Sequence, residues 1–207
     1  ANNTGIGWRA LYANTTGAHN TAVGTEALKS NTTASYNTAL GRHALYQNTT
    51  GDGLTAVGHQ ALNSNTTGDD NIAMGGYGAS STVYAALYAN TTGKQNVALG
   101  VGALTTNTTA DDNTAVGYTA LTANTTGGNL TAVGKGALAA NTTANDNTAV
   151  GLQSLTSNTT GASNTAVGRD AGEFATTADG STFIGSFAGQ GITGAKLTGD
   201  DNTAVGK

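Results

Sequence analysis

The chain contains no cysteine and no proline. Without cysteine there are no disulfides to stabilise it, although that absence leaves the compartment open. Charge is also scarce: 10% of the residues are charged, against roughly 25% in a typical soluble domain. Aromatic residues make up 5%, so few large side chains are present to build a wide core. The net charge of −4 and the pI near 5.1 supply no basic stripe for nucleic acid. No apolar run approaches the ~20 residues needed to cross a bilayer as a helix. No initiator methionine, basic leader or apolar signal core opens the sequence, which starts and stops inside a repeat. It therefore reads as a piece of a longer array.

What the chain does contain is asparagine, threonine, alanine and 31 glycines. That composition fits either a disordered polar chain or a narrow, regular structure filled by small residues. Periodicity decides between them. The pattern Asn-Thr-Ala-Val-Gly starts at Asn3, Asn20, Asn37, Leu54, Asn71, Asn96, Asn113, Leu130, Asn147, Asn164, Ser181 and Asn202. The step is 17 residues except for one of 25 and one of 21. The long steps place insertions at 78–85 and within 191–201. Residues 1–207 thus form a single array of eleven full coils and the start of a twelfth, with the consensus N-T-A-V-G-x-x-A-L-x-x-N-T-T-G-x-x. Its positions are called slots one to seventeen below.

Several slots have a readable role. Slot four is apolar in every coil, from Ile6 and Val23 to Val205, and slot three is alanine except at Gly5 and Phe183. Slot five is always glycine, as at Gly24, Gly41 and Gly58. Such regularity marks a corner with positive φ or a close backbone approach. Slot nine is leucine in nine coils, Leu28 among them. Slots six and seven vary freely, as expected of solvated positions. Seventeen residues are too few for a helical hairpin repeat of ~34, but they suffice for two short strands with corners. The expected fold is all-β, a parallel β-solenoid with coils ~4.8 Å apart. Columns of asparagine, such as that of Asn20 in slot one, would bond coil to coil, and stability would accumulate from neighbour to neighbour. Side chains alternate across a strand. Slots three and four must therefore face opposite ways, and one of the two stripes lies outside, where lateral association would cover it.

The runs NTAVGTEALKSNTTASYNTALGRHAL and STFIGSFAG (Ser181–Gly189) resemble the repeats of phage-type tail-fibre proteins. More loosely, they are similar to the β-roll heads of trimeric, YadA-like autotransporter adhesins, whose repeat is shorter. The resemblance spans essentially the whole chain. It implies a trimeric, extended extracellular fibre on a virion or cell surface, acting as a spacer or facing a receptor. A C-terminal self-cleaving chaperone domain often follows in that family, but this sequence does not contain one.

Candidate sites are few. The three histidines, His19, His43 and His59, have neither metal-ligand spacing nor a neighbouring nucleophile, so we expect no enzyme. Asp52, Asp69, Asp70, Asp179, Asp200 and Asp201 fall in slots sixteen and seventeen, where stacking brings carboxylates together. They are candidate Ca²⁺ ligands, set against the simpler reading of solvated turn residues. Asn14, Asn31, Asn48, Asn65, Asn90, Asn107, Asn124, Asn141 and Asn158 each open an Asn-Thr-Thr sequon and are candidate glycosylation acceptors, as are Asn2 and Asn129. The first insertion, flanked by Tyr77 and carrying Tyr84, is a candidate contact loop for a cell-surface glycan or receptor. The expected role is a shaft or spacer of an extracellular fibre, self-associating as a homotrimer or stacking end to end into a filament. The alternatives are an ice-binding solenoid that presents threonine columns, or a glycan-coated fibril.

Overall fold

A computed structural model of the chain describes residues 2–77, 83–191 and 197–206. Most of the first insertion (78–82) and part of the second (192–196, including Ile192 and Lys196) lie outside the described residues. The fold is an all-β parallel solenoid. Twelve three-residue strands, from β1 (Thr4–Ile6) to β12 (Thr203–Val205), stack in sequence order into one parallel sheet. Register is kept slot against slot, with Thr21 beside Thr38, Ala22 beside Ala39 and Val23 beside Leu40. It holds across the longer step too, where Ile72 pairs with Val97. Eleven spacings of ~4.8 Å make a rod of about 50 Å.

Among the described residues each coil carries one strand rather than the two expected. Beyond the strand the chain still bonds upward, for example Leu28 N–H to Ala44 O at 3.0 Å and Thr32 N–H to Thr49 O at 3.0 Å. An extended conformation is interrupted there because slots seven, nine and seventeen adopt left-handed backbone. The leucines of slot nine sit at φ between 48° and 55°. A left-handed non-glycine residue costs about 1–2 kcal/mol. Burying a whole leucine side chain contributes about 1.5–3 kcal/mol, and Leu28, Leu45, Leu62, Leu87, Leu104, Leu121, Leu138 and Leu155 are fully buried. The hydrophobic term is the larger, so the turn that aims leucine inward is retained in coil after coil.

Alanine wins the inside of the sheet. Ala22, Ala39, Ala56 and their equivalents are fully buried together with the slot-eight alanines, which leaves slot four on the outer surface. The slot-five glycine meets both requirements inferred for it. Gly24 has φ of +134°, and a Cβ there would lie 2.6 Å from the Gly41 carbonyl carbon.

Of the two departures from alanine in slot three, the larger one shows how the core is filled. Phe183 occupies slot three and is buried, while the slot-nine leucines above and below it are replaced by Gly172 and Gly189. A Cβ on Gly172 would come within 2.6 Å of Phe183 Cδ2. The phenylalanine ring thus lies against both positions from which leucine is missing. The replacement Phe183→Ala should cost about 3–5 kcal/mol, as large cavities do. The triple variant Phe183→Ala, Gly172→Leu, Gly189→Leu rebuilds the consensus core and should recover most of that loss. Amide exchange of residues 164–190 reads this locally, which suits a repeat array whose coils need not unfold together.

Candidate functional site

The interior beside the leucines is polar, and its satisfaction explains the repeat. In slot one, Asn20 donates its amide to Ala34 O at 2.8 Å, and its Oδ1 accepts the N–H of Asn37 at 3.0 Å. In slot twelve, Asn107 donates to Asn90 Oδ1 at 2.8 Å and to Ala110 O at 3.1 Å, while its own Oδ1 accepts from Asn124. Threonine hydroxyls of slot thirteen add further rungs, such as Thr32 Oγ1 to Thr49 O at 3.0 Å. Of the nine Asn-Thr-Thr asparagines, Asn31, Asn48, Asn65, Asn90, Asn107, Asn124, Asn141 and Asn158 are fully buried. Asn14 is partly buried and donates to Gly17 O. These amides are used up in bonding neighbouring coils, so the closed coil offers none of the eight to a glycosyl donor. Asn2 and Asn129 are exposed.

The slot-twelve column stops at Asn158, because the next coil has Ala175 in that place. Asn158 Oδ1 is buried and has no hydrogen-bond partner.

The aspartates of slot sixteen serve the backbone of the preceding coil. Asp52 accepts the N–H of Ser35, Asp69 that of Asp52, and Asp200 that of Asp179, at 2.6–3.1 Å. Asp69 also pairs with Lys94 Nζ at 2.8 Å. Asp70 and Asp201 occupy the left-handed slot seventeen. Among the described residues, no group of three or more histidine, cysteine, aspartate or glutamate side chains is placed to hold a metal ion. Asp52, Asp69, Asp179 and Asp200 are thus arranged as acceptors of backbone N–H groups from the preceding coil.

Slots six, seven and ten share another flank, which is richer in contacts than solvated positions would be. Glu26 is surrounded by Lys29 Nζ at 2.8 Å, His43 Nε2 at 3.0 Å and Arg9 at 3.9 Å. Lys29 also reaches Tyr46 Oη at 2.9 Å. Aromatic rings continue along the rod from His43 to His59, Tyr77, Tyr84 and Tyr88, with centroids 4.8–6.3 Å apart. The contact-loop pair proves to be part of this stack. Tyr77 hydrogen-bonds down to His59 O, whereas the Tyr84 carbonyl accepts from Gly102 above. The insertion thus leaves the array after Tyr77 and rejoins it at Tyr84. His59 Nδ1 faces Tyr77 O at 3.1 Å, and its Nε2 is buried without a partner.

The remaining surface is the outer face of the sheet, where slots two and four alternate with buried alanine. Over twelve coils these two columns hold threonine, valine, isoleucine, leucine and methionine and no charged residue. Leu40 is 48% exposed and Met74 45%. No helix among the described residues is long and apolar enough to cross a membrane.

The chain matches no family model, no curated protein and no solved structure. Its surface must therefore be read from its own chemistry. The feature that sequence reasoning missed is the aromatic stack. Its signal was present in the tyrosines and histidines of slots six, seven and ten in successive coils, dismissed as variable because each slot was read alone.

Two outcomes follow from the buried polar groups. Ala175→Asn should extend the slot-twelve ladder to the orphaned Asn158 Oδ1 and stabilise the neighbouring coils by about 1–2 kcal/mol, measurable as a higher urea midpoint. The second concerns acid. Burial, seconded by Arg42, holds the His43 pKa below the ordinary histidine value, and the Lys29 hydrogen bond holds the Glu26 pKa low. Around pH 6.5 the unfolded chain takes up a proton that folded His43 refuses, so stability falls as pH drops through that range. Below about pH 4.3 protonation of Glu26 removes more. The protection of amides in residues 20–63, referenced to the intrinsic exchange rate at each pH, should fall between pH 7 and pH 5, and His43→Gln should flatten that dependence.

Proposed function

We propose that the chain is a structural shaft or spacer segment of an extracellular fibre, of the tail-fibre or surface-adhesin kind, that works by lateral association with copies of itself. The observation that carries this reading is the uncharged outer face of the sheet. It runs the length of a rod whose buried asparagine columns are already paired from coil to coil, Asn158 Oδ1 apart, so burying the face adds stability without disturbing the fold. A strip ~50 Å long and ~12 Å wide is about 600 Å², at the upper end of the largest apolar patch on an ordinary monomer and often functional at that size. A closed ring of three copies covers the strip on each and leaves no free face for further growth. The inward Asn and Leu columns and the corner glycines are the residues that make the segment stiff. Receptor or glycan contact, where it occurs, belongs on the flank of Tyr77 and Tyr84, which the sheet face leaves open.

A second reading, ice binding, draws on the same face. Thr21, Thr38 and Thr55 stand in an outward column at the strand spacing of ~4.8 Å. Leu40, Met74 and Leu99 beside it make the surface uneven, and Ile72 and Val97 interrupt the hydroxyls.

Light scattering on the purified chain, with electron micrographs of the same sample, tests the main reading. We expect a discrete small oligomer, with short rods and a mass near three chains. The pair Val116→Lys, Val133→Lys should return it to a folded monomer, because both side chains lie on the outer face. A wild-type chain that stays monomeric and shows thermal hysteresis overturns the association reading in favour of ice binding.

A further inference from the structure

The two long edges that flank the outer face differ in charge. The edge entering the strands, slots sixteen and seventeen, holds nine aspartates (Asp52, Asp69, Asp70, Asp111, Asp112, Asp146, Asp179, Asp200 and Asp201) and a single cation, Lys94. The edge leaving them, slots six and seven, holds Arg9, Arg42, Lys135 and Arg169 among the described residues. Its two acids are both engaged locally, Glu26 with Lys29 and Asp170 with Arg169 Nε at 3.3 Å. Slot six alone carries Arg42, Lys135 and Arg169, all exposed, and no acid in any coil. The apolar strip therefore lies between an acidic rail and a basic rail.

This segregation matters because of how two rods meet face to face. If they run parallel, turning one copy to face the other exchanges its left and right edges. The aspartate rail of each then lies along the arginine–lysine rail of its neighbour. If they run antiparallel, the edges are not exchanged, and acid meets acid and base meets base along the whole length. In a closed ring of three, where all copies run parallel, the same opposition of acidic to basic edge recurs at each contact.

We propose that the partner of the outer face is a second copy of this chain bound in parallel, and that the opposed charged rails enforce that direction. The inference rests on the lateral association argued above and adds its polarity. The in-register parallel arrangement sets each slot-six cation within one coil, ~4.8 Å, of a facing carboxylate. Arg42 follows the strand Thr38–Leu40 and Asp52 precedes Thr55–Val57. Lys135 and Asp146, like Arg169 and Asp179, are spaced in the same way. The strip of about 600 Å² falls short of the ~800 Å² that each partner contributes to a standard interface, so the flanking rails belong inside the contact. Exposed ion pairs add little affinity, but juxtaposed like charges reject the wrong partner. Direction is therefore what the rails decide, while the apolar strip holds the copies together.

The chain has no cysteine of its own, so engineered thiols report direction without background. Val23→Cys and Val167→Cys place a thiol near opposite ends of the outer face, eight strands and ~38 Å apart, too far for a short bis-maleimide to bridge. Treated separately at low salt, each single variant should cross-link to itself. A mixture of the two should yield Cys–Cys links between unlike chains at least about tenfold less often than between like chains. In Arg42→Glu, Lys135→Glu, Arg169→Glu, whose changes sit on exposed positions and should leave the circular dichroism unchanged, that preference should vanish or reverse. Salt near 1 M, where the screening length is ~3 Å, should weaken the preference in the unmodified rails. Links chiefly between unlike chains would overturn the parallel arrangement while leaving lateral association standing. A preference untouched by the charge reversal would overturn the rails as its cause. A monomer, with no cross-links of either kind, would overturn both the polarity and the association beneath it.

Discussion

Two columns of asparagine amides run buried along the rod, and the rest of the structure depends on them. A coil of seventeen residues encloses too little volume for a thick apolar core, and its backbone turns often enough to leave carbonyls and N–H groups pointing inward. A buried polar group without a partner costs about 1–3 kcal/mol. Asparagine has both a donor and an acceptor on a short side chain, so one residue closes its own coil at the slot-fifteen carbonyl and also takes up a group from the next. Asn20 and Asn107 do this in different ways, but both convert a local turn into a link between neighbours. The left-handed leucines and the corner glycines are tolerable because these bonds hold the turns where they are.

That arrangement leaves a division between inside and outside. The interior uses small, fixed residues, and its departures are compensated. Phe183 packs where Gly172 and Gly189 leave room for its ring, and Leu54 and Leu130 fill slot one as buried apolar plugs. The exterior has three different long surfaces: an uncharged sheet face, an acidic rail before it, and a basic, aromatic flank after it. A rod whose coils satisfy their own polar groups has surface chemistry to spare for recognition. The uncharged face with its opposed rails suits another copy of the same rod. The aromatic flank, where Tyr77, Tyr84 and Tyr88 stack, lies apart from that face.

The proposed shaft takes its extracellular setting from the resemblance to tail fibres and adhesin heads, and its lateral association from the physical reading of the outer face. The first depends on motif wording. The second depends on the outward placement of slot four, which no motif states. Buried sequon asparagines narrow the glycan-coated alternative as well, since a sugar at those positions competes with the bonds that close the coil.

The architecture was legible in the residues because the period is strict. A 17-residue spacing with apolar, small and amide positions in constant slots admits a stack of parallel coils and little else, and slot five demanded glycine for reasons visible before any coordinates. Alternation along the strand also required that one of slots three and four face outward. Which one did so was not legible, since it depends on the width of the closed coil: opposite the inward leucines there is room for alanine but not for valine. The single strand per coil was hidden for a related reason. Leucine ordinarily avoids left-handed backbone, and only the burial gained by aiming it inward, seen in three dimensions, outweighs that preference. The rails and the aromatic stack were likewise spread across slots that vary one by one. Stacking at ~4.8 Å is what sums them into continuous surfaces.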